Sequence, residues 1–248
     1  MRINTSTTGI MSSRKDTSST ETAPNETSPD ERVYAAITSA LLLGKLAPGA
    51  QLVERELAAA FDCTRGTIRK VLARLGAEGK LTLEANRGAF VPSPTVADIR
   101  EVYRARQVVE AGIVASLCGT LSAPAKRALR THIKAEQRAV KAASVEECVR
   151  LAGHFHVLLA ELAHAPDVQA FLAKLVAKTE LYKALFDPSK VSNCASDEHG
   201  RLVDALEAGD LDTALATMRS HIGELEARVL AQASGARTND LASLFAGA

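Results

Sequence analysis

The chain lacks, first, any surplus of charge: 30 lysines and arginines stand against 29 aspartates and glutamates in 248 residues. A protein so balanced does not coat nucleic acid or membrane by charge alone, so binding to a polyanion has to come from a local patch. Cysteine is scarce as well. Cys63, Cys118, Cys148 and Cys194 show neither CxxC spacing nor the density of a disulfide-stapled secreted scaffold, which points to reduced thiols in a cytoplasmic protein. No apolar run approaches the ~18 residues of a membrane span. The first 28 residues hold 13 serines and threonines and no continuous apolar core of the kind a secretory signal needs, and they read as a disordered tail. What is present is 46% hydrophobic residues, ample for one large core or two small ones.

Order is expected from Pro29, where Asp30 and Glu31 suit the first turn of a helix. Val33, Ile37, Ala40 and Leu41 then keep a helical period up to the stop at Ala47-Pro48-Gly49. A short helix over 54 to 61 is broken by Asp62-Cys63-Thr64, and Thr64 is a good cap for a third helix whose Ile68, Val71, Leu72 and Leu75 face a core. Arg65, Arg69, Lys70 and Arg74 lie on the opposite arc, with no acid between Asp62 and Glu78. Two strands, at 80 to 83 and 89 to 91, flank the Asn86-Arg87-Gly88 turn. The order helix, helix, turn, helix, hairpin is that of a winged helix-turn-helix, whose third helix enters a major groove. Arg65 and Arg69, at i and i+4, can each address guanine edges, while Arg55, Lys70 and Arg74 suit phosphates and Arg87-Gly88 forms the wing tip.

These residues carry a resemblance. Residues 46 to 91, LAPGAQLVERELAAAFDCTRGTIRKVLARLGAEGKLTLEANRGAFV, resemble the DNA-binding domain of the GntR superfamily of bacterial regulators. Position by position, the resemblance implies DNA contact for Arg55, Thr64, Arg65, Thr67, Arg69 and Gly88. Gly66 departs from it, standing where the family usually has Thr or Ser.

After Pro92-Ser93-Pro94 no strand-like stretch remains. Helices are expected over 96–118, 123–142, 145–164, 167–186, 196–208 and 211–233, an all-α bundle. His199 lies ten residues before Gly209 and His221 eleven after Asp210, so in an antiparallel hairpin both sit at one depth; His156 lies about ten before Ala165-Pro166. Three imidazoles at one level suit a divalent metal of the zinc, nickel or manganese class, although spacing alone leaves polar residues on helix faces as the alternative. Arg106 and Glu110 form either a surface i, i+4 pair or a buried carboxylate-binding pair. Cys194 is either a thiolate ligand or a small structural thiol, and His132 and His164 are read as surface residues.

FHVLLAELAHAPDV, EHGRLVDALEAGD and LATMRSHIGELEARV resemble the last helices of the FCD ligand-binding domain of the FadR subfamily. In its metal-binding members an Asp joins three His as ligands; the matching positions here are Ala152, His156, His199 and His221, so the carboxylate is missing. The resemblance implies a homodimer on a palindromic double-stranded operator, no membrane, and an organic acid effector near Arg106. The expected layout is a tail over 1–28, a winged domain over 29–93, an effector-binding and dimerisation domain over 94–235 and a flexible tail over 236–248. The rival readings are a metal-dependent enzyme tethered to a DNA-binding module, disfavoured because no HExxH or comparable glutamate accompanies the histidines, and a DNA-binding protein with no effector.

Overall fold

A computed structural model describes residues 28–186 and 195–233. Helix α1 (Pro29–Leu42) starts where the Ser28 hydroxyl accepts from the Glu31 amide and Pro29 fixes the first turn. Strand β1 (Gln51–Leu52), helix α2 (Glu54–Ala60) and helix α3 (Arg65–Ala77) follow, α3 being capped by the Thr64 hydroxyl accepting from the Thr67 amide. Strands β2 (Thr82–Glu84) and β3 (Gly88–Phe90) form the wing. The antiparallel sheet has three strands in the order β1-β3-β2, one more than expected. The extra strand pairs Gln51 with Phe90 and Leu52 with Ala89. Two residues are too few to show a strand period in sequence, and pairing with β3 rather than propensity makes β1.

The bundle comprises α4 (Val96–Leu117), α5 (Ala123–Lys141), α6 (Val145–Leu162), α7 (Pro166–Phe186), α8 (Ala195–Ala208) and α9 (Leu211–Gln232). Each matches an expected helix to within two residues. Thr95 and Asp98 close a reciprocal capping box on α4, and the Asp210 carboxylate caps α9. Helix ends at Gly119 and Gly209 take positive φ, 71° and 74°, and the two glycines touch: the Gly119 amide donates to the Leu206 carbonyl at 3.0 Å, and a Cβ on Gly119 would lie 3.5 Å from the Gly209 Cα. That contact ties the end of α4 to the α8–α9 turn. It helps set the depth at which α8 and α9 present their side chains.

Two cores result. In the bundle, Tyr103, Val114, Phe155, Leu159, Leu172, Leu206, Met218 and Ile222 pack together. In the winged unit, Ile37, Leu52, Phe61, Ile68, Leu75 and Val91 pack together, joined by Leu181 and Leu185 of α7. Residues 91 to 95 join β3 to α4 without helix or strand, and the packing of α7 against the winged core continues across that joint.

Candidate DNA-reading face and buried histidine cluster

On α3 the four basic side chains project away from the buried stripe of Ile68, Val71, Leu72 and Leu75. Arg65 and Arg69 are about two-thirds exposed, at 64% and 67%. They converge on one carboxylate. Glu54 at the start of α2 accepts from Arg69 Nε at 3.0 Å and Nη2 at 2.9 Å, and from Arg65 Nη2 at 3.3 Å. Its own pKa is lowered, chiefly by the Arg69 hydrogen bond. Lys70 pairs with Asp30 at 2.6 Å, Arg74 with Glu31 at 2.6 Å and with Glu78, and Arg87 with Glu84. Segment 63 to 75, which its own composition leaves without acids, is thus neutralised from outside: α1, α2 and Glu78 at the end of α3 supply the carboxylates. Exposed pairs of this kind contribute only about 0–1 kcal/mol each, so phosphate can displace the carboxylates cheaply. Arg55 is exposed, and no ion pair to it occurs among the described residues. Thr67 shares its hydroxyl with Thr64 at 3.1 Å, and Gly88 holds φ 103°, the left-handed region that the wing tip needs and glycine permits.

Inside the bundle, His156 of α6, His199 of α8 and His221 of α9 meet, all nearly fully buried. His221 Nε2 lies 3.3 Å from His156 Nε2 and 3.4 Å from His199 Nε2, and the three ligand atoms all fall within 4.8 Å of one another. Each ring is held from behind by a glutamate. His156 Nδ1 donates to Glu110, His199 Nδ1 to Glu136 at 2.9 Å, and His221 Nδ1 to Glu198. Ionised carboxylates only accept, so each neutral ring carries its hydrogen on Nδ1 and turns the Nε2 lone pair inward. Three lone pairs facing one another repel unless a cation lies among them. Nitrogen–zinc bonds of about 2.0–2.1 Å place tetrahedral ligands about 3.3–3.4 Å apart, the separation of two of the three pairs, the third lying within 4.8 Å. Rings fixed by carboxylates at the second nitrogen are the usual surroundings of metal-binding histidines. The donor set of three nitrogens fits a divalent metal. Ala152 contributes none.

Burial pushes His156 down to about 3 and His199 to about 4, against the opposing pull of Glu110 and Glu136. For those two acids burial alone would raise the pKa; for Glu110 the charges of Arg106 and His156, and for Glu136 the hydrogen bonds from His132 and His199, outweigh it and hold each at about 2. The sign for stability follows. Below about 6.5 the unfolded imidazoles take up protons that the folded ones refuse, and below about 4.5 the unfolded glutamates do the same. Metal-free protein is therefore expected to keep its stability from pH 8 to about 6.5 and lose it progressively towards pH 4. Urea unfolding of chelator-treated protein checks this, and an unchanged midpoint down to pH 5 would contradict neutral burial.

Arg106 is wholly buried, its Nε donating to Glu110 at 2.7 Å and Nη1 to Thr179 at 2.8 Å. The pair with Glu110 is thus internal, not a surface pair. Nη2 is buried with no hydrogen-bond partner. Only that nitrogen is left for another acceptor, so a full two-pronged clamp is not available. His132 corrects the surface reading. It is buried at 7% exposure, its Nε2 donating to the Leu151 carbonyl at 3.0 Å, because Leu129, His132, Ile133 and Glu136 share the buried face of α5. His164 is exposed. Cys194 lies outside the described residues.

Glutamates do stand beside the histidines, outside any HExxH arrangement. Three stand there, unseen in sequence because Glu110 and Glu136 come from α4 and α5. Each is bonded to the Nδ1 side of its ring, away from the converging Nε2 atoms. Glu136 had a faint sequence signal, a charged residue in register with an apolar helix stripe. Glu198 directly precedes His199.

Residues 29–91 match the family described as bacterial regulatory proteins, gntR family, and residues 101–224 match the FCD domain. The HTH-type transcriptional repressor RspR of Escherichia coli (strain K12) is 22% identical over 211 residues, covering 84% of this chain and 92% of the relative. An HTH-type transcriptional regulator in an unstable DNA locus of Streptomyces ambofaciens is 28% identical over 191 residues, covering 77% and 80%. Among solved structures, a GntR transcriptional regulator from Rhodococcus sp. RHA1 superposes with a TM-score of 0.67 at 25% identity, covering 83% of this chain and 99% of that one. Among the described residues no helix is long and apolar enough to cross a membrane.

Proposed function

Because the chain belongs to the gntR family of bacterial regulatory proteins and carries the FCD domain, we propose that it is a regulator whose hold on operator DNA is set by a small carboxylate in the helical domain. The observation that carries this reading is the buried convergence of His156, His199 and His221 beside a buried Arg106 whose Nη2 lacks an acceptor. A divalent metal on the three Nε2 atoms would supply an open position for a carboxylate oxygen. Glu110, Glu136 and Glu198 orient the rings, and Arg106 Nη2 offers a charge-assisted hydrogen bond to an anionic ligand that reaches it. Control is then a coupling between two sites, with effector and DNA favouring different arrangements of the winged unit against the bundle. The protein acts in the cytoplasm as a homodimer, two winged units reading one palindrome.

Metal content of the purified protein, with a thermal-shift screen of small carboxylates with and without chelator, tests the sensor reading. One metal per chain and chelator-sensitive stabilisation by an acid is the expected result; neither metal nor response to any acid would sink it.

For DNA, Arg65 and Arg69 are assigned to base edges, Arg55, Lys70, Arg74 and Arg87 to phosphates, and the Thr64, Thr67 and Gly88 positions to close backbone approach. Arg65→Ala and Arg69→Ala should each weaken operator binding by about 1–3 kcal/mol and relax base preference, whereas Lys70→Ala should weaken all sequences alike. Glu54 holds Arg69 by its Nε and Nη2 edge and so aims the remaining Nη1 edge outward. Glu54→Gln is expected to narrow the ratio of operator to random-sequence affinity in a fluorescence-anisotropy titration. An unchanged ratio would remove Glu54 from the reading apparatus.

A further inference from the structure

Helix α7 is shared between the two units. Leu172, Val176 and Tyr182 pack in the bundle core, whereas Leu181 and Leu185 pack in the core of the winged unit. Among the described residues no other helix of the bundle places a buried side chain in the winged core. One turn of α7 is also gripped from the histidine side. Thr179, 1% exposed, accepts from Arg106 Nη1 at 2.8 Å and donates to the Val176 carbonyl at 3.0 Å. On α6, one turn before His156, Gly153 brings its backbone against the same stretch: a Cβ there would lie 3.3 Å from Val176 Cγ1 and 3.4 Å from Glu180 Cγ. From Thr179 to Leu185 is about 9 Å of helix, at a rise of about 1.5 Å per residue. No glycine or proline interrupts residues 167 to 186, so nothing in the sequence bends the helix there. A displacement at Thr179 is therefore delivered to Leu181 and Leu185.

The other end of this contact is one of the converging rings. Glu110 is shared, one oxygen accepting from Arg106 Nε and the other from His156 Nδ1. A cation on His156 Nε2 draws electron density from the ring and makes its Nδ1–H a stronger donor, which pulls on the shared carboxylate. Arg106 is wholly buried and cannot answer by turning to water. Its only other hydrogen bond runs from Nη1 to Thr179, since Nη2 has no acceptor. We propose that the Arg106–Thr179 hydrogen bond is the link by which occupancy of the histidine site reaches the winged unit, with α7 as the transmitting element and Thr179 as a positioning residue. The inference rests on the reading of His156, His199 and His221 as a metal site, and it names the contiguous contacts that connect that site to DNA.

Thr179→Val keeps the shape of the side chain and removes its hydroxyl, whereas Thr179→Ser keeps the hydroxyl. Operator affinity of the full chain is measured by fluorescence anisotropy, once loaded with zinc and once in chelator, and zinc affinity by competition with a fluorescent indicator. In wild type and Thr179→Ser the two operator affinities should differ by about tenfold or more. In Thr179→Val that ratio should fall to within about twofold, with zinc affinity staying within about threefold of wild type. Hydrogen exchange on the wild type supplies a readout that needs no variant: zinc should change exchange of the amides of residues 179 to 185 as well as those of α6, α8 and α9. A zinc effect on operator affinity undiminished in Thr179→Val would overturn the proposal and send the signal along α4 and its joint to β3 instead. Exchange at residues 179 to 185 that ignores zinc would overturn it too, as would loss of zinc binding in Thr179→Val, because Thr179 would then support the site itself. Zinc that binds the wild type without altering operator affinity would end the relay and leave the metal site standing. Zinc that does not bind at all would sink both.

Discussion

Arg106→Ala is expected to lower the unfolding free energy by about 3–5 kcal/mol, the cost of removing one member of a buried ion pair and stranding the other. Arg106 and Glu110 are 0% and 1% exposed, so no water reaches the carboxylate left behind. The damage spreads because Glu110 uses its second oxygen to hold His156. Without the guanidinium, Glu110 gains reason to take up a proton, and its hold on the His156 ring weakens. Denaturant unfolding of Arg106→Ala, Glu110→Ala and the double variant checks this. The double variant should lose clearly less than the sum of the singles, and a loss below about 1 kcal/mol in Arg106→Ala would mean that the pair is not a closed unit.

The second large effect concerns metal affinity. His199→Ala removes one of three nitrogens and should lower it on the order of 100-fold or more, whereas Glu136→Gln leaves every ligand in place and should cost roughly 10–100-fold by loosening the ring it orients. Titration against a fluorescent zinc competitor separates the two. Equal affinities for wild type and Glu136→Gln would show that ring orientation comes from packing alone, with Phe155, stacked 3.9 Å from the His199 ring, as the evident source. Metal-free stability of both variants, measured in chelator, separates loss of ligation from loss of fold.

The helices of the bundle were legible because their stops are chemical: Gly119, Ala165-Pro166, Gly209 and Asp210, with Thr95 and Ser122 capping the starts of α4 and α5. The levels of His156, His199 and His221 followed from counting residues to those stops. What could not be read was everything supplied across elements. Glu54 belongs to α2 yet holds the arginines of α3, and Glu110 and Glu136 sit on helices remote in sequence from the rings they orient. His132 looked like a surface residue because its acceptor is a backbone carbonyl, which no side-chain pattern reveals. Strand β1 escaped because two residues have no period.

Leu181 and Leu185, seated in the core of the winged unit, bear on how such proteins can be recombined. A chimera joining residues 28 to 92 to a different sensing domain would leave that core with two leucine-sized gaps and fresh apolar surface. Grafted DNA specificity therefore has to travel with the second half of α7, or with substitutes that refill those gaps. The portable part of this regulator is longer in space than it is in sequence.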